Sequence, residues 1–568
     1  MALIVLALVL PLRSVRAQDP AGAVALPPFL VEEDKKGPPW RYGQIPGFEI
    51  LSRCSDRTTR DLAETHYRLH QLLTLLLPER LQVSFAVPRA MIFYDESLQS
   101  ASSKEVLASM LGHAAKDSVP VDTPWSGAGR RGSYGPPVAR ISFLPNLRLW
   151  DRDAMMVFSI VREGGYDSDR LALTPDYINY LVTSRTPPLP WWFMSGIFTL
   201  YGLTEYETGA LYVRPITWVS ESATDALKSD PKAPVELVPL QEFFTTAPPR
   251  PTPENEARRQ IWLSQCALFI RWALDGRTPE QRDAFGDLVA RAATGITPEA
   301  FQHCFGVDFT AADKLLADYL RTAVRKAITL KPAQPIKPPK IELRNATDAE
   351  IARIKGDWER LEVGYVRSRM PDYADKYLDQ ARRTLRRAYD LGLRDPQMLA
   401  VAGLCECDAG NDGTAREYLE LASRLGPLRP RANYELARLR FNEAIASPAG
   451  ESGRLSPAQL GRIFTPLFAA RAQAPAQAEV YELIAQVWAS SAYVPTREHL
   501  MVLGEGVRMF PRRASLVYRV AALYAERGFS KEAAELVRLG LIVAPEGADR
   551  DRFAQLQTQL AAAAPAEK

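Results

Sequence analysis

Few residues in this chain could do chemistry. Five histidines are spread over 568 residues, and only His66 and His70, in "HYRLH", fall four apart. On a helix that spacing puts both imidazoles on one face, where such a pair can chelate a metal ion. No Glu lies between them and no third ligand stands nearby, so a packing or surface pair is expected. His113, His303 and His499 are isolated in sequence. Five cysteines, Cys54, Cys266, Cys304, Cys405 and Cys407, are too few and too scattered for a disulfide framework. Cys405 and Cys407 lie two apart in a helical pattern, so they point to different sides and read as small buried hydrophobes. "GAGRRG" at 127–132 has the glycine spacing of a dinucleotide loop but opens no helix, and reads as a surface loop. No Gly-x-Ser-x-Gly elbow is present.

One further stretch combines polar groups with a defined helix pair: "TPDYINYLVTSRTPPLPWWFMSG" at 174–196. Thr174 is the expected N-cap of an amphipathic helix with Pro175 in its first turn, and "YINYLV" supplies its apolar face. A Pro-rich break and an aromatic second helix follow.

The elements around it follow from periodicity. "FEILSR" (48–53), "AMIFYDE" (90–96), "VARISFLP" (138–145) and "AMMVFSIVRE" (154–163) read as strands, and 58–77 as an amphipathic helix. After the aromatic stretch the pattern turns helical over 254–274, 279–293, 298–305 and 311–328. Residues 18–45 read as an extended lead segment. Residues 329–345, with Pro332, Pro335, Pro338 and Pro339, read as a semi-rigid spacer.

Beyond the spacer the sequence repeats. Pro396 and Pro430 are thirty-four residues apart, with Gly403, Ala415, Leu419, Ala422 and Pro427 at fixed offsets between them. Pro511 and Pro545 keep the same period, with Val517, Ala521, Tyr524, Ala533, Val537 and Gly540. Looser copies carry Trp358, Leu361, Tyr365, Ala381, Leu385 and Ala388, and then Tyr481, Ile484, Ala485 and Trp488. Residues 447–456 form an irregular middle. The pattern resembles the tetratricopeptide repeat family over 346–563, which implies an all-α solenoid that recognises peptides or protein segments in a groove and has no chemistry of its own.

The region 46–328 resembles the peptidase-MA-like, DUF1570-type domains of the gluzincin class, which often precede such repeats. In active members one helix carries His-Glu-x-x-His and the next helix a ligand Glu, so that three side chains hold zinc and a fourth activates water. Carried over residue by residue, "PDYIN" puts Pro175 and Asn179 where the histidines belong and Asp176 where the base belongs. "WFMSGIFTLY" puts Ser195 in the place of the ligand Glu. The resemblance therefore implies a non-catalytic domain with its zinc site lost and no cofactor, whose cleft Tyr180, Trp191, Trp192 and Phe193 would line.

The expected architecture is an α+β metallopeptidase-like domain followed by an all-α tetratricopeptide-like solenoid, with a tail at 564–568. Lys and Arg number 70 against 67 Asp and Glu, a net charge of +3, which gives no electrostatic case for nucleic acid as a partner. An apolar run from Ala2 to Leu12, then Val15-Arg16-Ala17, reads as a signal peptide cleaved after Ala17. That run is shorter than the ~20 apolar residues of a membrane span. No later segment reaches that length, so an exported protein, periplasmic or secreted, is expected. The expected role is protein or peptide binding through the repeat groove and the peptidase-like cleft. The alternative is a divergent hydrolase acting on peptides or cell-envelope material.

Overall fold

The computed structural model describes residues 38–98, 141–142, 146–163 and 171–563, apart from 208, 231, 245–248, 250–251, 293–294, 370 and 451–452. The signal segment 1–17, most of the lead segment, the loop 127–132, His113 and all but 141–142 of the strand expected at 138–145 lie outside the described residues.

The first half runs β1 (Arg41–Ile45), β2 (Phe48–Ser52), α1 (Asp56–Leu73), β3 (Arg89–Asp95), β4 (Ile141–Ser142), β5 (Asn146–Trp150), β6 (Met155–Val161), β7 (Leu171–Ala172), α2 (Pro175–Thr183) and α3 (Trp191–Gly202). Then come β8 (Thr204–Glu207), β9 (Ala210–Val213), α4 (Glu221–Ser229), α5 (Leu240–Phe243), α6 (Glu256–Leu274), α7 (Pro279–Arg291), α8 (Pro298–Phe305), α9 (Phe309–Ala323), β10 (Ile328–Leu330) and β11 (Arg344–Asn345). The main sheet has the order β11-β1-β2-β3-β6-β5. Strands β2, β3 and β6 are parallel, β1 and β5 flank them antiparallel, and β11 pairs antiparallel with β1.

The three parallel strands are apolar on both faces, as strands covered on both sides must be. Their alternation divides the residues between two cores. Phe48, Ile50, Met91, Phe93, Met155 and Val157 face the core built with α1, α2, α3 and α6. Leu51, Ala90, Ile92, Tyr94, Met156 and Phe158 face the other way, against Ile354, Trp358 and Leu361. These last three belong to α10 (Asp348–Arg369), the first helix of the repeat region.

From α10 onward the chain is a stack of helical hairpins, α10 with α11 (Ala374–Asp390), α12 (Pro396–Asp408) with α13 (Asp412–Leu425), and α14 (Pro430–Ala446) with α15 (Pro457–Arg471). α16 (Ala478–Ala489) with α17 (Arg497–Met509) and α18 (Ala514–Glu526) with α19 (Ser530–Val543) continue it, and α20 (Ala548–Ala563) packs on the last pair. First helices of successive pairs touch each other as well as their own partners. Small residues sit where neighbouring helices come closest: a Cβ on Gly403 would lie 2.6 Å from Leu419 Cγ within one hairpin, and one on Gly540 would lie 2.0 Å from a ring carbon of Phe553 on α20. Among the described residues no helix is long and apolar enough to cross a membrane.

Two features depart from the patterning. Residues 41–45, assigned to the lead segment, form β1 and pair with both β2 and β11. The Pro-rich stretch 329–345 is extended, as its prolines require, but both of its ends are anchored to the first domain. β10 pairs with β9, and β11 with β1. Arg271, buried in α6, reinforces the first anchor by donating to the carbonyls of Arg214 (2.7 Å) and Lys326.

Candidate functional site

Helix α2 starts as its sequence dictates. Thr174 is the N-cap, its hydroxyl accepting from the Tyr177 N–H at 3.4 Å, and Pro175 occupies the first turn. The helix buries Tyr177, Ile178, Tyr180, Leu181 and Val182. Residues 175, 176 and 179 share the opposite side, and there Pro175 and Asp176 are exposed and Asn179 half-buried. The motif positions of the zinc-peptidase resemblance therefore lie on the water-facing side of their helix. Ser195 lies on α3 and is buried, and its Oγ donates to the Trp191 carbonyl at 2.8 Å, one turn back.

The four residues expected to line a cleft are placed differently from one another. Trp192 and Phe193 are core: Trp192 has the rings of Phe193, Phe243, Phe244, Phe269 and Phe285 within 6.5 Å. The cause is the close docking of α3 on α6, where a Cβ at Gly196 would come within 2.4 Å of the Cys266 carbonyl oxygen. Tyr180 is also buried, between the rings of Phe85 and Trp150. Trp191 alone is half-exposed, and the Arg512 guanidinium, from the repeat region, lies 4.4 Å over its ring.

On the buried side of α2 the structure gathers a basic cluster to which sequence patterning assigns no role. Tyr177 packs against His66 and His70 of α1, at 6.4 and 6.1 Å between ring centroids. Its hydroxyl accepts from Arg89 Nη1 at 2.7 Å, and Arg148 of β5 lies 5.6 Å over its ring while donating to Thr174. Both histidines are buried rather than at the surface. Burial pushes the His70 imidazole down to about 3, with the Arg89 charge adding to it. Burial likewise lowers His66, helped by His70, Arg89 and Arg148. Arg148, deprived of solvent, is lowered to about 10. Among the described residues no carboxylate pairs with Arg89 or Arg148, and no set of three or more His, Cys, Asp or Glu side chains is placed to hold a metal ion. Arg89 opens a strand and Arg148 sits at a sheet edge, 59 positions apart in sequence. Only the fold brings them to one phenol, and no local spacing could have announced it.

The first helices of the repeat carry the first domain. Glu49 of β2 takes a two-pronged bond from Arg353 of α10, both distances 2.8 Å. Beside it, Asp151 and Asp153 of the β5–β6 turn meet Asp357 and Arg360 of α10, Asp408 of α12, and Arg429 and Arg431 at the start of α14. Asp153, fully buried, accepts from Arg429 Nη2 at 2.6 Å and from the Arg431 N–H at 2.7 Å. Arg360 bridges Asp151 and Asp408 at 3.0 and 3.1 Å. Burial alone would raise Asp151, but Arg360 and Arg431 outweigh it and hold the carboxyl well below its ordinary range. Further along, the Ala86 N–H donates to the Ala474 carbonyl at 2.7 Å, just before α16. The α/β domain therefore contacts α10, the start of α14 and the segment before α16, and is linked through Arg360 to the end of α12.

No protein-family model matches the chain, and no curated protein matches it. Solved structures similar to parts of it include MamA, at 16% identity over 33% of this chain and 95% of that one, with a TM-score of 0.25. A thermophilic TPR protein of Thermus thermophilus is similar at 19% identity over 36% of this chain and 99% of that one, with a TM-score of 0.26. A second MamA structure is 15% identical over 35% of this chain and 95% of that one, with a TM-score of 0.26.

Proposed function

We propose that this chain is an exported protein-binding scaffold in which a zinc-peptidase-like domain is non-catalytic and is braced by a tetratricopeptide-like repeat. The observation that carries this reading is the orientation of α2. Its motif positions hold Pro175, Asp176 and Asn179 and face away from the protein interior, while Ser195 on the next helix spends its hydroxyl on a backbone carbonyl. Proline offers a metal no donor atom, and Asn and Ser are weak neutral ligands, so these residues do not fit zinc. Protein recognition falls to surfaces the first domain leaves uncovered. The second helices α13 and α19 bury only one narrow stripe each, Ala415, Leu419 and Ala422 in one and Ala533, Val537 and Gly540 in the other.

Incubation of the purified full chain with zinc, followed by elemental analysis, is expected to show no stoichiometric metal. One tightly held zinc, lost on Asp176→Ala, sinks the non-catalytic reading. Photocrosslinking from exposed positions of α13 and α19 in the native envelope is expected to yield one defined protein adduct; labelling no different from that at α4, a helix of the first domain, removes the scaffold role. Truncating the repeat is a poor substitute, because it strips α10 from the sheet.

A further inference from the structure

A cavity of about 430 Å³ opens between the second half of α1, the β1–β2 turn and the segment leading into β3. Phe48, Phe85, His66, His70 and Arg89 line it. Its size falls at the small end of the range, roughly 300–1,000 Å³, typical of small-molecule sites. Its walls combine two aromatic rings with one cation. The Arg89 guanidinium lies 4.0 Å over Phe48 and 5.6 Å from the centroid of Phe85, and one of its nitrogens is held by the Tyr177 hydroxyl. Its Nε also donates to the Gly47 carbonyl at 3.5 Å, so the planar fork is oriented from two sides and Nη2 keeps its donors toward the cavity. The nearest acid on the wall, Glu79, is exposed at the rim and forms no ion pair with Arg89. His70 is more than nine-tenths buried and its Nε2 has no hydrogen-bond partner among the described residues.

A buried imidazole nitrogen without a partner is costly unless a ligand completes it, and beside it stands the half-buried guanidinium of Arg89, with no carboxylate partner among the described residues. One guanidinium balances one negative charge, and its fork matches the two oxygens of a carboxylate. A dianion such as phosphate would leave excess charge among Phe48, Phe85 and neutral imidazoles. We propose that this cavity binds a small organic monocarboxylate with an apolar body, the carboxylate on Arg89 and the body against the half-exposed ring of Phe85. This assignment is independent of the peptidase resemblance, since the cavity lies on the α1 side of Tyr177 and uses none of the motif positions.

Calorimetric titration of the full chain with phenylacetate, its neutral analogue phenylacetamide and inorganic phosphate tests it. Phenylacetate is expected to bind one per chain, at least tenfold more tightly than the amide, with phosphate weaker than both. This comparison needs no variant. Arg89→Gln is expected to abolish the acid-over-amide preference, and Tyr177→Phe, which keeps the packing but frees the guanidinium, to reduce it several-fold. Equal binding of acid and amide, preference for phosphate, or no heat with any probe up to about 10 mM overturns the proposal.

Discussion

The two faces of the central sheet are covered in different ways. One carries α1, α2, α3 and α6, all from the same domain, in one large apolar core that includes the aromatic group around Trp192 and whose polar exception is the basic cluster around Tyr177. The other carries α10, from beyond the Pro-rich segment. Its apolar centre, Trp358 against Phe158 at 5.3 Å, is bordered by the buried ring of Asp151, Asp153, Asp357 and Asp408 with Arg360, Arg429 and Arg431. An apolar face tolerates many packings, whereas buried ion pairs are stable only when each charge meets its partner, so the ring sets the register of the repeat on the sheet. The α/β domain and the repeat thus fold against each other, and the spacer between them is a strap.

Each face of the sheet can be disrupted separately. Trp192→Ala is expected to have the largest effect, a loss of roughly 4 kcal/mol from the cavity left in the aromatic group, read as the shift of the urea midpoint. Asp153→Ala takes one of two buried acceptors from the Arg429 guanidinium and the acceptor of the Arg431 N–H, and is expected to cost roughly 3 kcal/mol. Here the diagnostic is shape: fluorescence of the α/β domain and circular dichroism of the helices, coincident in the wild type, are expected to separate into two transitions.

A third change is expected to stabilise the protein. Glu359, on α10, is buried against α11, and loss of solvent raises its carboxyl to about 8 despite Lys355. The folded state then keeps a proton that the unfolded chain releases above about pH 4.5. Stability from this group is intact below that pH and falls as pH rises toward 8. Glu359→Gln is expected to raise stability by about 2 kcal/mol at pH 8 and to change nothing at pH 4; denaturant curves at the two pH values check it. The smallest effect belongs to Thr174→Ala, about 1 kcal/mol from the lost cap of α2, measured as a small drop in Tm.

Much of the local structure was legible. β2, β3, β6, α1 and the helices α6 to α8 lie where period-2 and helical spacing place them, α9 stops at Ala323 and leaves Ile328 to β10, and Thr174 and Pro175 open α2 as cap chemistry requires. Residues 403, 415 and 419 meet across one hairpin, which is why the repeat offsets could be read at all. The candidate site was legible only in part. Sequence spacing marked the 175–179 stretch, yet the side that faces inward holds Tyr177, and its partners come from α1, β3 and β5.

The sequence by itself determined the parallel strands β2, β3 and β6, the capped start of α2 and the thirty-four-residue hairpins, because each pattern lies within one short stretch of chain. Tertiary structure alone decided that β1 pairs with a strand some 300 residues later and that Asp153 is buried under Arg429, 276 residues away. It also decided that a basic cluster surrounds Tyr177. Such pairings follow from which surfaces remain to be covered once the local elements exist, and no local pattern of residues encodes that outcome.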